Sequence, residues 1–197
     1  MRIILASHNP GKLAELQSLL ADLPVRLESQ ADHQIPAAAE TGSTFIENAL
    51  LKARAVASAT GSAALADDSG LVVPALNGAP GIHSARYAGT HGDDAANNQK
   101  LIKALQAQSD RSAYFYCAMV LLRHATDPTP MVATAAWHGE ICTEAAGEFG
   151  FGYDPHFFLP ELQKTSAQLE PHVKNALSHR GQALRTLLGH MQQADWG

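Results

Sequence analysis

The sequence predicts an α/β fold with a mixed sheet. Two patterns carry that expectation. Early in the chain, short apolar runs alternate with segments whose apolar residues return at helical spacing. The middle is instead β-rich, with AYFYCAMVLLR and MVATAAWHGE joined by HATDPTP.

Taken in order, residues 3–6 read as a short buried strand. Leu13, Leu16, Leu19 and Leu20 form one helical face, with Pro24 beyond its end. Residues 25–28 suggest a second strand, and QADHQIPAAAETGS a loop. Phe45, Ile46, Ala49, Leu50, Ala53, Val56 and Ala57 then mark a long helix, capped by Ser43 or Thr44 and closed by Gly61. AALADDSGLVV is apolar, acidic, then apolar, which reads as strand, turn, strand. The Gly- and Pro-rich LNGAPGIHSARYAG reads as loop. Asp93 or Asp94 starts a helix that runs through Leu105, and the two β-rich runs make a long hairpin. After the Gly-rich GEFGFGYDPHFF, a last helix over 178–191 buries Leu184, Leu187, Leu188 and Met191. No repeat or linker interrupts the 197 residues, so residues 1–197 are read as one domain, with the hairpin and its flanks as a second lobe.

Composition narrows the function. An apolar fraction of 46% supports a sizeable core. A net charge of −5 argues against a general nucleic-acid binder, but not against an anionic small molecule held by a few local cations. Cys117 and Cys142 form no C-x-x-C pair and no zinc-type cluster, so reduced thiols in a cytoplasmic protein are expected. The amino terminus lacks the plan of a secretory leader, and no apolar run is long enough to span a membrane.

Four polar islands interrupt these elements. The first is SHNPGK: Ser7, His8, Asn9, Pro10, Gly11 and Lys12. A loop opening a helix offers backbone N–H groups and the positive end of the helix dipole, which suits a phosphate. It lacks P-loop spacing, and Pro10 removes a donor. On this stretch alone an ordinary turn, with Asn9 as cap and Pro10 at the first helical position, is the simpler alternative. The second is ADDSG. Asp67 and Asp68 follow an apolar strand, and buried acids need a cation or strong donors. A Mg²⁺ site answers that need, and so does an Asx-type turn. Alternate strand side chains face opposite ways, so the two acids need not share a role.

The third island is AETGSTFIENALLKA. Glu40 offers a further carboxylate, Asn48 and Lys52 share a helix face, and Glu47 reads as a capping residue. The fourth is split. In GFGYDP, glycines flank Phe151, and Phe151 with Tyr153 offers an aromatic platform for a base. In KNALSHRGQAL, Ser178 reads as the cap of the last helix, and His179 and Arg180 sit in its first turn, against the dipole.

Strand-S-x-N-x-x-K, ETGSTFIENALLKA, ADDSGL, GAPGIHSARYAG, GFGYDP and SHR occur in this order between Ile3 and Leu188. Together they resemble the inosine/xanthosine triphosphate pyrophosphatases, which act on non-canonical purine nucleotides. The resemblance implies an elongated α/β fold, with a mixed, curved sheet and two lobes around a substrate cleft. It implies a homodimer and Mg²⁺-assisted hydrolysis of ITP, dITP and XTP to the monophosphate and pyrophosphate. It places triphosphate contacts on Ser7 through Lys12, a Mg²⁺ ligand on Glu40, and the general base on Asp68. Asp67 then supports Asp68 or shares the metal, Ser69 touches substrate, and Lys52 is a further phosphate contact. Phe151, Gly152, Tyr153 and Asp154 take the nucleoside, and Lys174, His179 and Arg180 complete the base and phosphate contacts. Pro10 and the loop QADHQIPAAAE depart from clear family marks, which touches fine positioning only.

The implied chemistry is consistent. Water attacks the α-phosphorus, pyrophosphate leaves, and cations neutralise the gathering charge. Asp68 either takes the water's proton or holds the metal that acidifies it. Arg180 and protonated His179 only donate, so a six-oxo purine is accepted where adenine's amino group is not. Rejection of GTP has no account at this level. The rivals are a Maf-like pyrophosphatase, whose amino-terminal loop would carry paired arginines absent here, and a nucleotide sensor without hydrolysis.

Overall fold

The computed structural model describes residues 2–21 and 25–193; Pro24 lies outside the described residues. The chain forms strand β1 (Arg2–Leu5), helix α1 (Pro10–Leu20), β2 (Arg26–Ser29), α2 (Phe45–Thr60), β3 (Ala63–Val72) and α3 (Asp94–Ala104). Then follow β4 (Ser112–Leu122), β5 (Met131–Ile141), β6 (Phe157–Leu159), β7 (Lys164–Thr165), α4 (Pro171–Leu177) and α5 (His179–Gln193). The strands make one mixed seven-stranded sheet in the order β2-β1-β3-β4-β5-β6-β7. β1 runs parallel to β2 and β3, and α1 and α2 are the crossovers that parallel neighbours require. β6 is antiparallel to β5 and β7.

Local chemistry sets the helix ends. Asn9 caps α1, its Oδ1 accepting the Gly11 and Lys12 amides at 2.9 and 3.2 Å, with Pro10 as the first helical residue. Thr44 and Glu47 form a reciprocal capping box on α2, and Gly61 ends it in the left-handed region. Asp93 caps α3.

Two compact units emerge from this order. The first gathers Asp68 and the residues before it, Cys117–Ala135, and the chain from Arg180 on; the second comprises Ser69–Tyr116 and Ala136–His179. In the first unit the strands are buried on both faces. Ile3, Leu5, Leu65, Met119 and Leu121 pack with Leu16, Leu20, Leu184 and Leu187 of α1 and α5. The alternate residues Ile4, Ala64, Ala66, Val120 and Leu122 pack with Ala49, Ala53 and Val56 of α2. In the second unit Leu71, Leu101, Phe115, Trp137, Tyr153 and Phe157 form the core.

Several expectations need correction. AALADDSGLV is one ten-residue strand, not two strands about a turn. The acids stay inside the ladder because distant cations neutralise them, as shown below. The Asx-turn alternative falls with it. Residues Gln30–His33 and Gly81–Arg86, expected as loop, wind into 3₁₀ turns, as does Pro74–Leu76 at the start of the second of those loops. β6, β7 and α4 went unforeseen. Ser178 closes α4, and α5 starts at His179.

Candidate functional site

The alternation of β3 decides what its two acids meet. Asp67 follows Leu65 on the face of α1 and α5; Asp68 follows Ala66 on the face of α2. Each therefore meets a different cation at contact distance, all within the first unit.

Asp67 is fully buried, and its Oδ2 lies 2.8 Å from Lys12 Nζ on α1 and 3.3 Å from Arg180 Nε on α5. Arg180 is itself buried and places Nη1 2.8 Å from Glu15 Oε2. Burial opposes ionisation of Asp67, but Lys12, Arg180 and Lys52 outweigh it and hold the carboxyl well below the usual range. Burial likewise disfavours the Arg180 charge, and Glu15 and Asp67 more than restore it. Cys117 is a buried free thiol whose pKa burial pushes up.

On the other face, Lys52 of α2 bridges two carboxylates, with Nζ 3.0 Å from Glu40 Oε1 and 2.9 Å from Asp68 Oδ1. Burial pushes the Asp68 carboxyl up, and Lys52 only partly offsets it. Burial works against the Lys52 charge, but Asp68, Asp67 and Glu40 raise its pKa on balance. Asp68 Oδ2 is buried and makes no hydrogen bond among the described residues, an arrangement that calls for a water or a cation. Adjacent acids driven in opposite directions are the electrostatic pattern of a structural anion beside a proton acceptor.

The loop bearing Glu40 is stitched to α2. Asn48, fully buried, accepts the Gly42 amide at 2.8 Å, and Glu47 Oε2 accepts the Ser43 and Thr44 amides at 2.8 and 2.9 Å. A side chain at Gly42 would meet Glu47 Cβ at 2.6 Å and Asn48 Oδ1 at 2.8 Å.

SHNPGK is a capped helix start. Ser7 Oγ accepts the Asn9 amide at 3.1 Å, and His8 contacts Gln30. The Gly11 and Lys12 amides are occupied by Asn9, so a phosphate here must displace that cap. The structure does not bring the three proposed metal carboxylates together. Asp67 faces away from Glu40 and Asp68, its Oδ2 taken by Lys12 and Arg180. Among the described residues no three of His, Cys, Asp and Glu cluster as a metal cage.

In the second unit, Ser69 follows directly in β3 and is half-buried. The GFGYDP segment is held from within. Buried Asp154 accepts the Phe151 amide at 2.8 Å and Lys174 Nζ at 2.6 Å through Oδ2, and the Ser166 hydroxyl at 2.8 Å through Oδ1. Lys174 Nζ also lies 5.2 Å from the Phe151 ring centre. The Gly152 amide donates to Asp94 at 2.7 Å, and its carbonyl accepts from Asn98 at 2.8 Å. Tyr153 is not a platform: its ring lies in the core and its hydroxyl donates to the Ser84 carbonyl at 2.8 Å. Phe151 is the half-buried aromatic. Buried His179 stacks on Phe115 at 4.9 Å with 10° between planes, and Arg180 beside it in sequence is buried too.

Gly150 tests this loop. Its φ is +80°, and an added Cβ would sit 2.1 Å from Asp154 Oδ2 and 3.0 Å from Lys174 Nζ. Gly150→Ala is expected to cost at least about 2 kcal/mol in urea unfolding, from backbone strain and a disturbed buried ion pair. An unaltered midpoint would show that the loop yields freely.

Glu15, Ser84, Asn98 and Ser166 are supporting residues that the sequence reading does not single out. Among them only Glu15 carries a signal, lying three residues from Lys12 and so on the same helix face.

A family model described as the Ham1 family matches residues 3–190. A dITP/XTP pyrophosphatase of Thioalkalivibrio sulfidiphilus is 54% identical over 194 residues, covering 98% of this chain and 99% of the relative. The solved structure of a HAM1 protein from Coxiella burnetii matches with TM-score 0.92 and 50% identity, covering 98% of this chain and 99% of that one. A nucleoside-triphosphatase / dITP/XTP pyrophosphatase from Mycobacterium abscessus matches with TM-score 0.76 and 44% identity, over 97% of this chain and all of that one.

Proposed function

We propose that this chain, which belongs to the Ham1 family, is a nucleoside-triphosphate pyrophosphatase that hydrolyses ITP, dITP and XTP to the monophosphate and pyrophosphate. The observation that supports it best is the split acid pair: Asp67 held ionised among Lys12 and Arg180, and Asp68 pushed up with one oxygen unbonded among the described residues.

Lys12, Lys52 and Arg180 are the phosphate-binding cations, now neutralised by carboxylates. Substrate exchanges those carboxylates for phosphate oxygens. Asp68 accepts the proton of the water that attacks the α-phosphorus, and the bond to the pyrophosphate oxygen breaks. Glu40 and Asp68 are the residues that would hold Mg²⁺; the unbonded Asp68 Oδ2 and the cation already bracketed there fit an ion that takes one or two carboxylates. When bound, the ion neutralises phosphate charge and polarises the water. Asp67 supports the cations and does not share the ion. Phe151 supplies the face for the base, and His179 donates to its six-oxo edge. Lys174 and Asp154 shape the Phe151 loop. A homodimer and a cytoplasmic setting follow from the resemblance; among the described residues no helix is long and apolar enough to cross a membrane.

The test is pyrophosphate release with Mg²⁺ from ITP, dITP, XTP, ATP and GTP. Release from the first three alone supports the reading. Turnover of all five removes the base-recognition part, and no release from any leaves a nucleotide sensor.

A further inference from the structure

The Glu40–Lys52–Asp68 bracket carries an inference that rests on the reading of Glu40 and Asp68 as the Mg²⁺ ligands. We propose that the Lys52 ammonium is a built-in substitute for that ion, so that metal and lysine compete for one place and the displaced lysine becomes available to the triphosphate.

Three observations support it. Lys52 Nζ lies at nearly equal distance, 3.0 and 2.9 Å, from one oxygen of each acid, and its side chain is only 13% exposed. One monovalent cation leaves two ionised carboxylates with a net negative charge, and Asp68 Oδ2 keeps no hydrogen bond among the described residues. The place is thus filled, but incompletely, which a divalent ion would remedy. The backbone that carries the acids is held without the lysine: the loop just beyond Glu40 is tied to α2 through the Gly42 and Ser43 amides, and Asp68 stands on β3. A flexible four-carbon stem lets the ammonium move while α2 does not. Because one ammonium serves both ligands in turn, their binding is coupled, and the coupling is reciprocal.

The experiment is calorimetric titration with Mg²⁺ alone, without nucleotide, on the wild-type chain, Lys52→Gln, Lys52→Arg and Lys12→Gln, with thermal melting of each. Lys52→Gln is expected to bind Mg²⁺ roughly tenfold more tightly than wild type, within the usual range of coupling between ligands. Its melting temperature should also rise more on adding Mg²⁺. Lys52→Arg keeps the charge and should keep the weak affinity. Lys12→Gln removes an equal charge on the Asp67 face, from which Lys12 acts on Asp68 at longer range, and should tighten Mg²⁺ binding clearly less than Lys52→Gln does. Equal or weaker Mg²⁺ binding by Lys52→Gln overturns the proposal, as does an equal gain in Lys12→Gln, which would mean general charge rather than a shared place. Glu40→Gln and Asp68→Asn separate this failure from that of the underlying reading. If neither weakens Mg²⁺ binding, the metal assignment itself is wrong; if both do and Lys52→Gln is not tighter, only the substitution idea falls.

Discussion

Asp68→Asn is expected to lower the rate constant for pyrophosphate release from ITP by roughly a thousandfold or more, the scale of losing a positioned general base together with a metal carboxylate. The protein should remain folded. Burial raises the Asp68 pKa above its unfolded value. The ionised side chain therefore costs folding free energy at neutral pH, and that cost disappears as pH falls and the folded state takes up the proton. Asn carries no such cost, and Lys52 retains Glu40. Urea unfolding of the variant should give a midpoint no lower than wild type by more than a small margin. The acid limb of kcat/KM should also lie above that of an ordinary exposed aspartate, because the base must be ionised to accept a proton. A variant that keeps more than about a tenth of the rate would remove Asp68 from the proton-accepting role.

Asp67→Ala should do the opposite: chiefly unfold. It leaves Lys12 and Arg180 side by side, Arg180 buried, with Glu15 as the acid still paired to Arg180. Removing one partner of a buried charge set costs about 3–5 kcal/mol, enough to consume much of a domain's stability. The pH signature is equally distinct. The Asp67 pKa is depressed in the folded state, so its stabilisation is present above the unfolded value and lost as pH falls toward the folded one. Acid should therefore destabilise the wild type through Asp67 and leave the variant less sensitive in that range. Equal acid sensitivity in both proteins, followed by circular dichroism, would mean that the pair contributes nothing.

Much of this was legible in the order of residues. The helices announced themselves through Leu16 and Leu20, Ala49 and Ala53, and through caps at Asn9, Thr44 and Asp93. The acids, Lys12 and Lys52 stood out as candidates because charge and glycine broke apolar patterns. What failed was local reasoning about non-local neutralisation. Two aspartates inside an apolar run look like a turn until Arg180, 113 positions further on, is seen beside Asp67. β6 and β7 span three and two residues, too short for any periodicity to register. Tyr153 looked like a platform because an aromatic beside glycine resembles one. Its hydroxyl partner, the Ser84 carbonyl, lies 69 positions away.

The seam between Asp67 and Arg180 also fixes when the molecule can be finished. Arg180 meets Glu15 across 165 positions of chain and Asp67 across 113. During synthesis the first helices and β3 leave the ribosome long before α5 exists, so Asp67 waits without Arg180. The anion acquires its second cation only when the carboxyl-terminal helix emerges. A chain cut short before residue 180 therefore lacks more than a helix: its central acid is left half-neutralised inside a half-built core. Completion of this charge set is a late, whole-chain event.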